Sequence, residues 1–249
     1  MLIILFIIIP LTGMFLLIRF IINKSKANQP PPVLEKEKNT LIAKVRSKKS
    51  KLTQWKPEFV EELSNRLNFN YTKSFTRKFN GTIQSLVGEN LIAFRRLDRG
   101  QFKLTSRILA ISSDFEIFFE QKENEIAINF NDQYIGKIVD NNALVDKTGK
   151  QIGTVNRNQN TKDYYFITIN DDQLAYVIKN SDRRTFLRNP FYDFQPSSII
   201  ERDPFLDNDE LSKLTKMVKL YHELDNEEYK WVVSLIIFEI IYYGIDFLQ

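Results

Sequence analysis

The chain has 249 residues, room for one substantial domain plus an anchor, and its 43% apolar content is that of an ordinary globular protein. It has no cysteine and one histidine, His222, which excludes disulfides, thiolate or histidine metal centres, S-palmitoylation and a Ser/His triad. The net charge of +4 hides a division: residues 1–56 carry eleven basic and two acidic side chains, Leu63 to Arg107 nine and two, and everything from Ile108 onward is acidic on balance. Such a basic half suits anionic lipid or nucleic acid, and equally a solvated surface.

Leu2 to Ile18 is free of charge, and with Phe20 to Ile22 it is long enough to cross a bilayer. It lacks the basic leader and small-residue cleavage site of a signal peptide. Arg19, Lys24 and Lys26 flank only its carboxyl side, which predicts a single-pass anchor (1–22) with the N-terminus outside and the main domain cytoplasmic. Residues 23–54 read as a basic, Pro-containing linker, opened by Pro30, Pro31 and Pro32. Within it Lys44, Arg46, Lys48, Lys49 and Lys51 form a candidate membrane-surface strip, each worth about 1 kcal/mol near an anionic leaflet.

Residues 55–80 read as a helical lead-in, with Phe59, Leu63 and Leu67 on one face of a helix from Pro57 to Leu67. From Thr82 the pattern becomes short aromatic and β-branched strands between tight turns: Thr82 to Val87, Leu91 to Leu97, Phe102 to Ile111 and Phe115 to Glu120. Glu125 to Phe130 alternates cleanly. Two units of the form x-x-I-G-x-(I/V) follow, at Gln133 to Ile138 and Lys150 to Val155. A glycine inside a strand marks a bulge or a close backbone approach, and its repetition would let strands curl around an inner element. Tyr164 to Asn170 and Gln173 to Lys179 form a hairpin about Asp171-Asp172, and about eleven strand candidates lie between Thr82 and Ile200.

Pro204 to Leu224 is expected to contain a helix, capped by Asp207 with Glu210, which would leave His222 at a solvated helix end. Asp225 and Glu228 form another D-x-x-E signal, placing a helix start at Asn226. Trp231 to Phe247 is then apolar on every face, so lipid or protein must surround it. Glu239 and Asp246 interrupt it, each costing about 2.5–3.5 kcal/mol in a bilayer centre, which favours a buried axle over a second span. As an axle, it requires partners for both acids.

The strand glycines Gly136 and Gly153 and the apolar stretch Val232 to Phe247, with Ile245-Asp246-Phe247 at its end, resemble the tubby C-terminal-like superfamily, in its LURP-one and phospholipid-scramblase branch. The resemblance implies an α+β, mainly antiparallel β fold: a closed β-barrel (81–249) around the hydrophobic C-terminal helix, here joined to an N-terminal transmembrane helix. It also implies lipid or phosphate binding by basic side chains, for which the candidates are Arg95, Arg96, Arg99, Lys103, Arg107, Lys179, Arg183, Arg184 and Arg188. A Ca2+ site at Asp203, Asp207, Asp209 and Glu210 is a weaker implication, since the same acids serve as helix caps and no EF-hand spacing is present. The anchor, the extra helix and the lack of an acylated cysteine cluster depart from scramblases, which puts lipid scrambling in doubt. No phosphate loop or paired nucleophile and base stands out, so the expected function is non-enzymatic binding of membrane lipid headgroups or a protein partner at the membrane surface. A scramblase-like role and a two-span subunit are the alternatives. Without an RNA-binding signature, nucleic acid is not the expected partner.

Overall fold

The computed structural model describes residues 14–15, 17–18, 31–72, 76–99, 105–157, 164–179, 199–200 and 216–245. Helix α1 (Pro31–Arg46) comes first, followed by 3₁₀ turns at Lys49–Lys51 and Pro57–Val60. Eleven strands then run as one antiparallel meander: β1 (Leu63–Thr72), β2 (Arg77–Ser85), β3 (Asn90–Arg99), β4 (Thr105–Ile111), β5 (Glu116–Lys122), β6 (Glu125–Phe130), β7 (Gln133–Val139), β8 (Ala143–Asp146), β9 (Gln151–Val155), β10 (Tyr164–Ile169) and β11 (Asp172–Ile178). The two-residue β12 (Ile199–Ile200) pairs with β1, and β13 (Val218–Leu220) pairs with β11. The chain ends in α2 (Asn226–Phe238) and a π-helical turn, Glu239–Tyr243.

The sheet comes nearly round on itself as a twelve-stranded barrel. Ahead of β13, Lys216 bridges to Ser64 and the Met217 amide donates to the Leu63 carbonyl at 3.0 Å, so one segment touches both β11 and β1. Closure removes sheet edges that would otherwise be sticky. Two-residue hairpins at Asn131-Asp132 and Asn170-Asp171 hold both residues at positive φ, the conformation that matches strand twist and that Asn and Asp tolerate. The second turn lies one residue earlier than its sequence suggests.

Inside runs α2. The Asp225 carboxylate accepts from the Glu227 and Glu228 amides while Glu228 bonds back to the Asp225 amide, so the expected capping box and helix start are both present. Every residue from Trp231 to Ile241 is buried. Phe238 meets Phe119 of β5 with centroids 5.3 Å apart and stacks on Tyr242 at 4.8 Å. At the N-terminal end of α2, the Trp55 indole donates to the Tyr229 hydroxyl at 2.6 Å and packs on Phe115. The strand glycines make room: a Cβ on Gly136, at φ +147°, would come within 2.8 Å of Trp231 Cζ2 and collide with the β8 backbone, while one on Gly153 would strike β10.

Three sequence expectations are corrected. The helix across Pro57 to Leu67 is one 3₁₀ turn followed by β1, because the four-residue spacing of Leu63 and Leu67 fits a period of two as well as one of 3.6, and Asn and Thr interleave with Phe69 as strand residues. Residues 216–220 are bridge and strand, so His222 sits in a bend beside Asp172 (3.2 Å); residues 204–215 lie outside the described residues. Third, the part of the basic linker from Pro31 to Arg46 is helical and docked: Leu41 and Val45 of α1 are buried against Ala93, Leu97, Leu109 and Ile111 on the outer face of β3 and β4. Arg46 forks onto Glu116 (2.8 and 3.0 Å) and Lys38 pairs with Asp132 at 2.9 Å, clamping both ends of that contact.

Among the described residues no helix is long and apolar enough to cross a membrane. The expected anchor falls outside them except for Met14, Phe15, Leu17 and Ile18, which are helical and exposed.

Two substitutions test this packing by chemical denaturation. Gly136→Ala should destabilise by on the order of 3 kcal/mol, since the left-handed backbone, the neighbouring strand and the indole all resist a methyl group. Ser234, buried in α2 with its hydroxyl unpartnered, should behave oppositely: Ser234→Ala is expected to stabilise by about 1 kcal/mol.

Candidate functional site

Side chains alternate along a strand, so Arg95 and Arg96 point to opposite faces of β3. The expected basic patch is thereby divided. Arg96 faces inward and is 3% exposed. Its guanidinium forks onto Asp98 (both contacts 2.9 Å), and Asp98 also accepts from Ser106 at 2.7 Å. The remaining Arg96 nitrogen donates to the carbonyls of Ile241, Tyr242 and Ile245 at 3.1, 2.7 and 2.8 Å. Those carbonyls lie at the end of the terminal helix, where the backbone dipole concentrates negative charge and where acceptors lack intrahelical partners. Arg96 is therefore a cap delivered from the barrel wall, with Tyr242 and Phe79 rings beside it.

A second arginine, half-buried, grips the same helix. Arg157 donates from Nε and Nη2 to the Glu239 carboxylate at 2.7 and 3.0 Å, and the Tyr165 hydroxyl donates to it at 3.3 Å. Arg157 also lies 3.3 Å above the Tyr243 ring, and Tyr243 donates to Asn141 at 3.1 Å. Burial disfavours the Arg157 cation, but Glu239 more than compensates and raises its pKa. Burial and the Glu239 charge push Tyr165 well above the ordinary phenol range, and burial pushes Tyr243 up to about 12. The space beside this group, lined also by Ile126, Ile138, Val155, Leu235 and Phe238, measures only about 20 Å³, room for a water molecule and far below a small-molecule pocket. Glu239 thus has the partners an axle acid needs; Asp246 lies outside the described residues.

The outer face carries the rest. Arg107 is 3% exposed and bonded to Glu120 at 3.0 Å, with Lys122 3.4 Å from the same carboxylate, which removes Arg107 from any accessible patch. Arg95 and Arg99 are half-buried on this face, and desolvation depresses both guanidinium pKa values, helped at Arg99 by neighbouring Arg107. Lys48, just beyond α1, is half-buried too; desolvation lowers its ammonium pKa, as do the charges of Arg95 and Lys51. Arg95 Nε is buried without a hydrogen-bond partner. Lys44, Lys49 and Lys51 are exposed, and Arg46 is engaged with Glu116. Lys179 is half-buried just after β11, away from β3 in the strand order. Lys103, Arg183, Arg184, Arg188 and the acids Asp203, Asp207, Asp209 and Glu210 lie outside the described residues.

Sequence reading placed Arg96 and Arg107 with the accessible cations and had no role for Arg157. Strand parity separates Arg95 from Arg96, and Asp98 two residues on is the signal that Arg96 has an inward partner. No comparable signal marks Arg157. No protein-family model matches the chain, and neither does any curated protein or solved structure.

The ion pair and the phenols give two measurable consequences. Arg157→Ala leaves the 1%-exposed Glu239 carboxylate without its counter-charge and should cost about 3 kcal/mol, whereas the double change Arg157→Leu with Glu239→Leu should recover most of that loss. Because the folded pKa of Tyr243 is raised, its contribution is full below about pH 10 and lost as pH rises toward about 12. The melting temperature should fall across that window, and Tyr243→Phe should blunt the fall.

Proposed function

We propose that this chain is a membrane-anchored, non-enzymatic protein whose tubby-like, LURP-one-like barrel works on the cytoplasmic membrane surface, binding anionic lipid headgroups through the outer face of β3 and β4. The observation that carries the reading is a set of cations at the end of α1 and on the outer face of β3, of which Lys48 and Arg95 are half-buried with no carboxylate partner among the described residues. A basic surface without internal counter-ions favours an anionic partner, and the arginine fork suits phosphate. Lys44, Lys49 and Lys51 add exposed positive charge. The uncharged segment Leu2 to Ile18 supplies the anchor, and the exposed apolar side chains of Met14, Phe15, Leu17 and Ile18 require a lipid or protein cover. A barrel closed around an apolar terminal helix supports the family resemblance.

A scramblase-like reading would have the terminal helix enter lipid. Moving Trp231 to Phe238 into lipid would keep those residues in an apolar medium but would empty the barrel interior and break the two arginine clamps, stripping Glu239 and the terminal carbonyls of their arginines. Binding with the helix retained is therefore the reading we hold.

The test uses the full chain in nanodiscs, comparing lysine acetylation in zwitterionic lipid with that in lipid containing phosphatidylserine. Protection of Lys44, Lys48, Lys49 and Lys51 in the anionic discs, reversed by high salt, is expected. Identical labelling in the two lipids would sink the proposal.

A further inference from the structure

We infer that Ser50, in the turn between α1 and the barrel, is a phosphorylation site for a protein kinase that reads basic side chains, and that its phosphate switches off the attraction of the neighbouring cations for anionic lipid. The modification site stands on its own residues, whereas the switch deepens the lipid-surface reading and rests on it.

Residues 38–57 hold seven cations and no acid, and Ser50 lies in the densest part, with Lys48 and Lys49 before it, Lys51 after it and Arg46 four residues back. Kinases choose substrates by such charge patterns. The fold presents the hydroxyl. Ser50 is exposed in the middle of the 3₁₀ turn Lys49–Lys51, between buried Val45 and half-buried Leu52, which packs on the apolar cluster that receives α1. Two backbone bonds hold that turn, from the Lys51 amide to the Lys48 carbonyl at 3.0 Å and from the Leu52 amide to the Lys49 carbonyl at 3.2 Å. A turn so short opens at little cost into the extended form that a kinase grips. Two other hydroxyls compete. Ser47 directly follows the last residue of α1, and its Oγ donates to the Lys44 carbonyl at 2.9 Å. A phosphate there would lose that bond and sit at the negative end of the helix dipole. Thr53 is half-buried, and its amide is tied to the Asn90 carbonyl at 2.9 Å. Ser50 escapes both restraints.

The co-substrate is a nucleoside triphosphate. The bond from Ser50 Oγ to the γ-phosphorus forms as the bond from that phosphorus to the β,γ-bridging oxygen breaks; the hydroxyl proton passes to the kinase's general base and the diphosphate leaves. The product carries about −1.5 to −2 charges at neutral pH. Arg46 is engaged with Glu116, so Lys44, Lys48, Lys49 and Lys51 are the cations left to meet lipid, and one phosphate cancels about half of their charge. Each charge near an anionic leaflet is worth a factor of about five, so contact should weaken about ten- to thirtyfold. The change is one of charge and leaves the fold alone, because Leu41, Val45 and the Arg46 fork hold α1 to the barrel without Ser50.

The experiment treats the full chain, held in zwitterionic nanodiscs, with ATP, magnesium and the catalytic domain of a basophilic kinase, and maps the phosphate by peptide mass spectrometry. Ser50 should carry most of the label, which Ser50→Ala removes and Ser47→Ala leaves in place. Lys48→Gln with Lys49→Gln should slow the transfer about fivefold or more. The chain bearing phosphoserine at position 50 is then compared with the unmodified chain by lysine acetylation in zwitterionic discs and in discs containing phosphatidylserine. The contact equilibrium read from anionic protection of Lys44 and Lys51 should weaken about ten- to thirtyfold, and high salt should abolish the difference. Near-ultraviolet circular dichroism should stay the same, and unphosphorylated Ser50→Ala should be protected like the wild type. Label spread evenly over the exposed serines and threonines overturns the modification site. A change in protection of less than about twofold on phosphorylation overturns the switch. If the unmodified chain gains no protection from anionic lipid, the lipid reading fails and the switch with it, while selective labelling of Ser50 still upholds the modification site.

Discussion

An α-helix that is apolar on every face has no stable position at a water interface, and the structure is arranged around that constraint. A sheet packed on one side of Trp231 to Ile245 would leave the other side wet. Wrapping the meander nearly closed covers all sides and also eliminates the long open edges of a flat sheet. Enclosure in turn dictates local sequence. The wall must come close at Trp231, which requires bare backbone at Gly136, and must curl further on, which requires it at Gly153. It must also satisfy polar groups that the helix carries inside: Arg96 answers the terminal carbonyls and Arg157 answers Glu239. These are two different electrostatic tasks, capping a backbone and neutralising a side chain, and both fall to arginine because its fork reaches several acceptors from one stem.

The parts legible in the sequence were those governed by local rules. The Asp225 and Glu228 box, the helix start at Asn226, the all-apolar axle, the hairpin turns and the strand glycines are readable because each depends on neighbours within a few residues. The parts that escaped depend on pairing across the chain. Leu63 and Leu67 obey two periods at once, and only the partner strand β2 decides between them. Helix α1 looked like a solvated linker because its stripe, Leu41, Ile42 and Val45, is short and set among charges. Its counterpart was nevertheless visible: Arg107 to Ile111 contains Ile108, Leu109, Ala110 and Ile111 in succession, apolar on both faces, and a strand so composed must be covered twice.

Covering one outer face with α1 is also what sorts the cations. Eleven basic residues in the first fifty-six and nine between Leu63 and Arg107 read as one positive surface. Folding assigns them to different tasks: Arg96 is consumed inside, Arg107 and Arg46 are neutralised at the wall, and Lys44, Lys49 and Lys51 stay in water. Arg95 and Lys48 stand between these classes, half-buried and with no carboxylate partner among the described residues. Stability alone would select against cations so placed, since an apolar or neutral residue at either position removes a desolvation penalty. Their presence at the junction of α1 and the barrel makes the junction the most informative place on the molecule.

The same junction restricts how the protein can sit at a bilayer. With Leu2 to Ile22 as the span, residues 23–30 reach at most about 28 Å when fully extended, and α1 is about 24 Å long. A free linker would let the barrel tumble beneath its anchor. A docked α1 shortens that freedom to residues 23–30, because Leu41, Val45 and the Arg46 to Glu116 fork make helix and barrel one body. Standing α1 upright would carry Lys48 and Arg95 a helix length further from the lipid than Pro31. Laying it along the surface brings the β3 and β4 face, Lys44 and Lys48 to one depth, and the extended reach is sufficient for that geometry. The anchored reading therefore demands an α1 parallel to the membrane, which makes the orientation of one short helix decisive for whether the basic face meets headgroups at all.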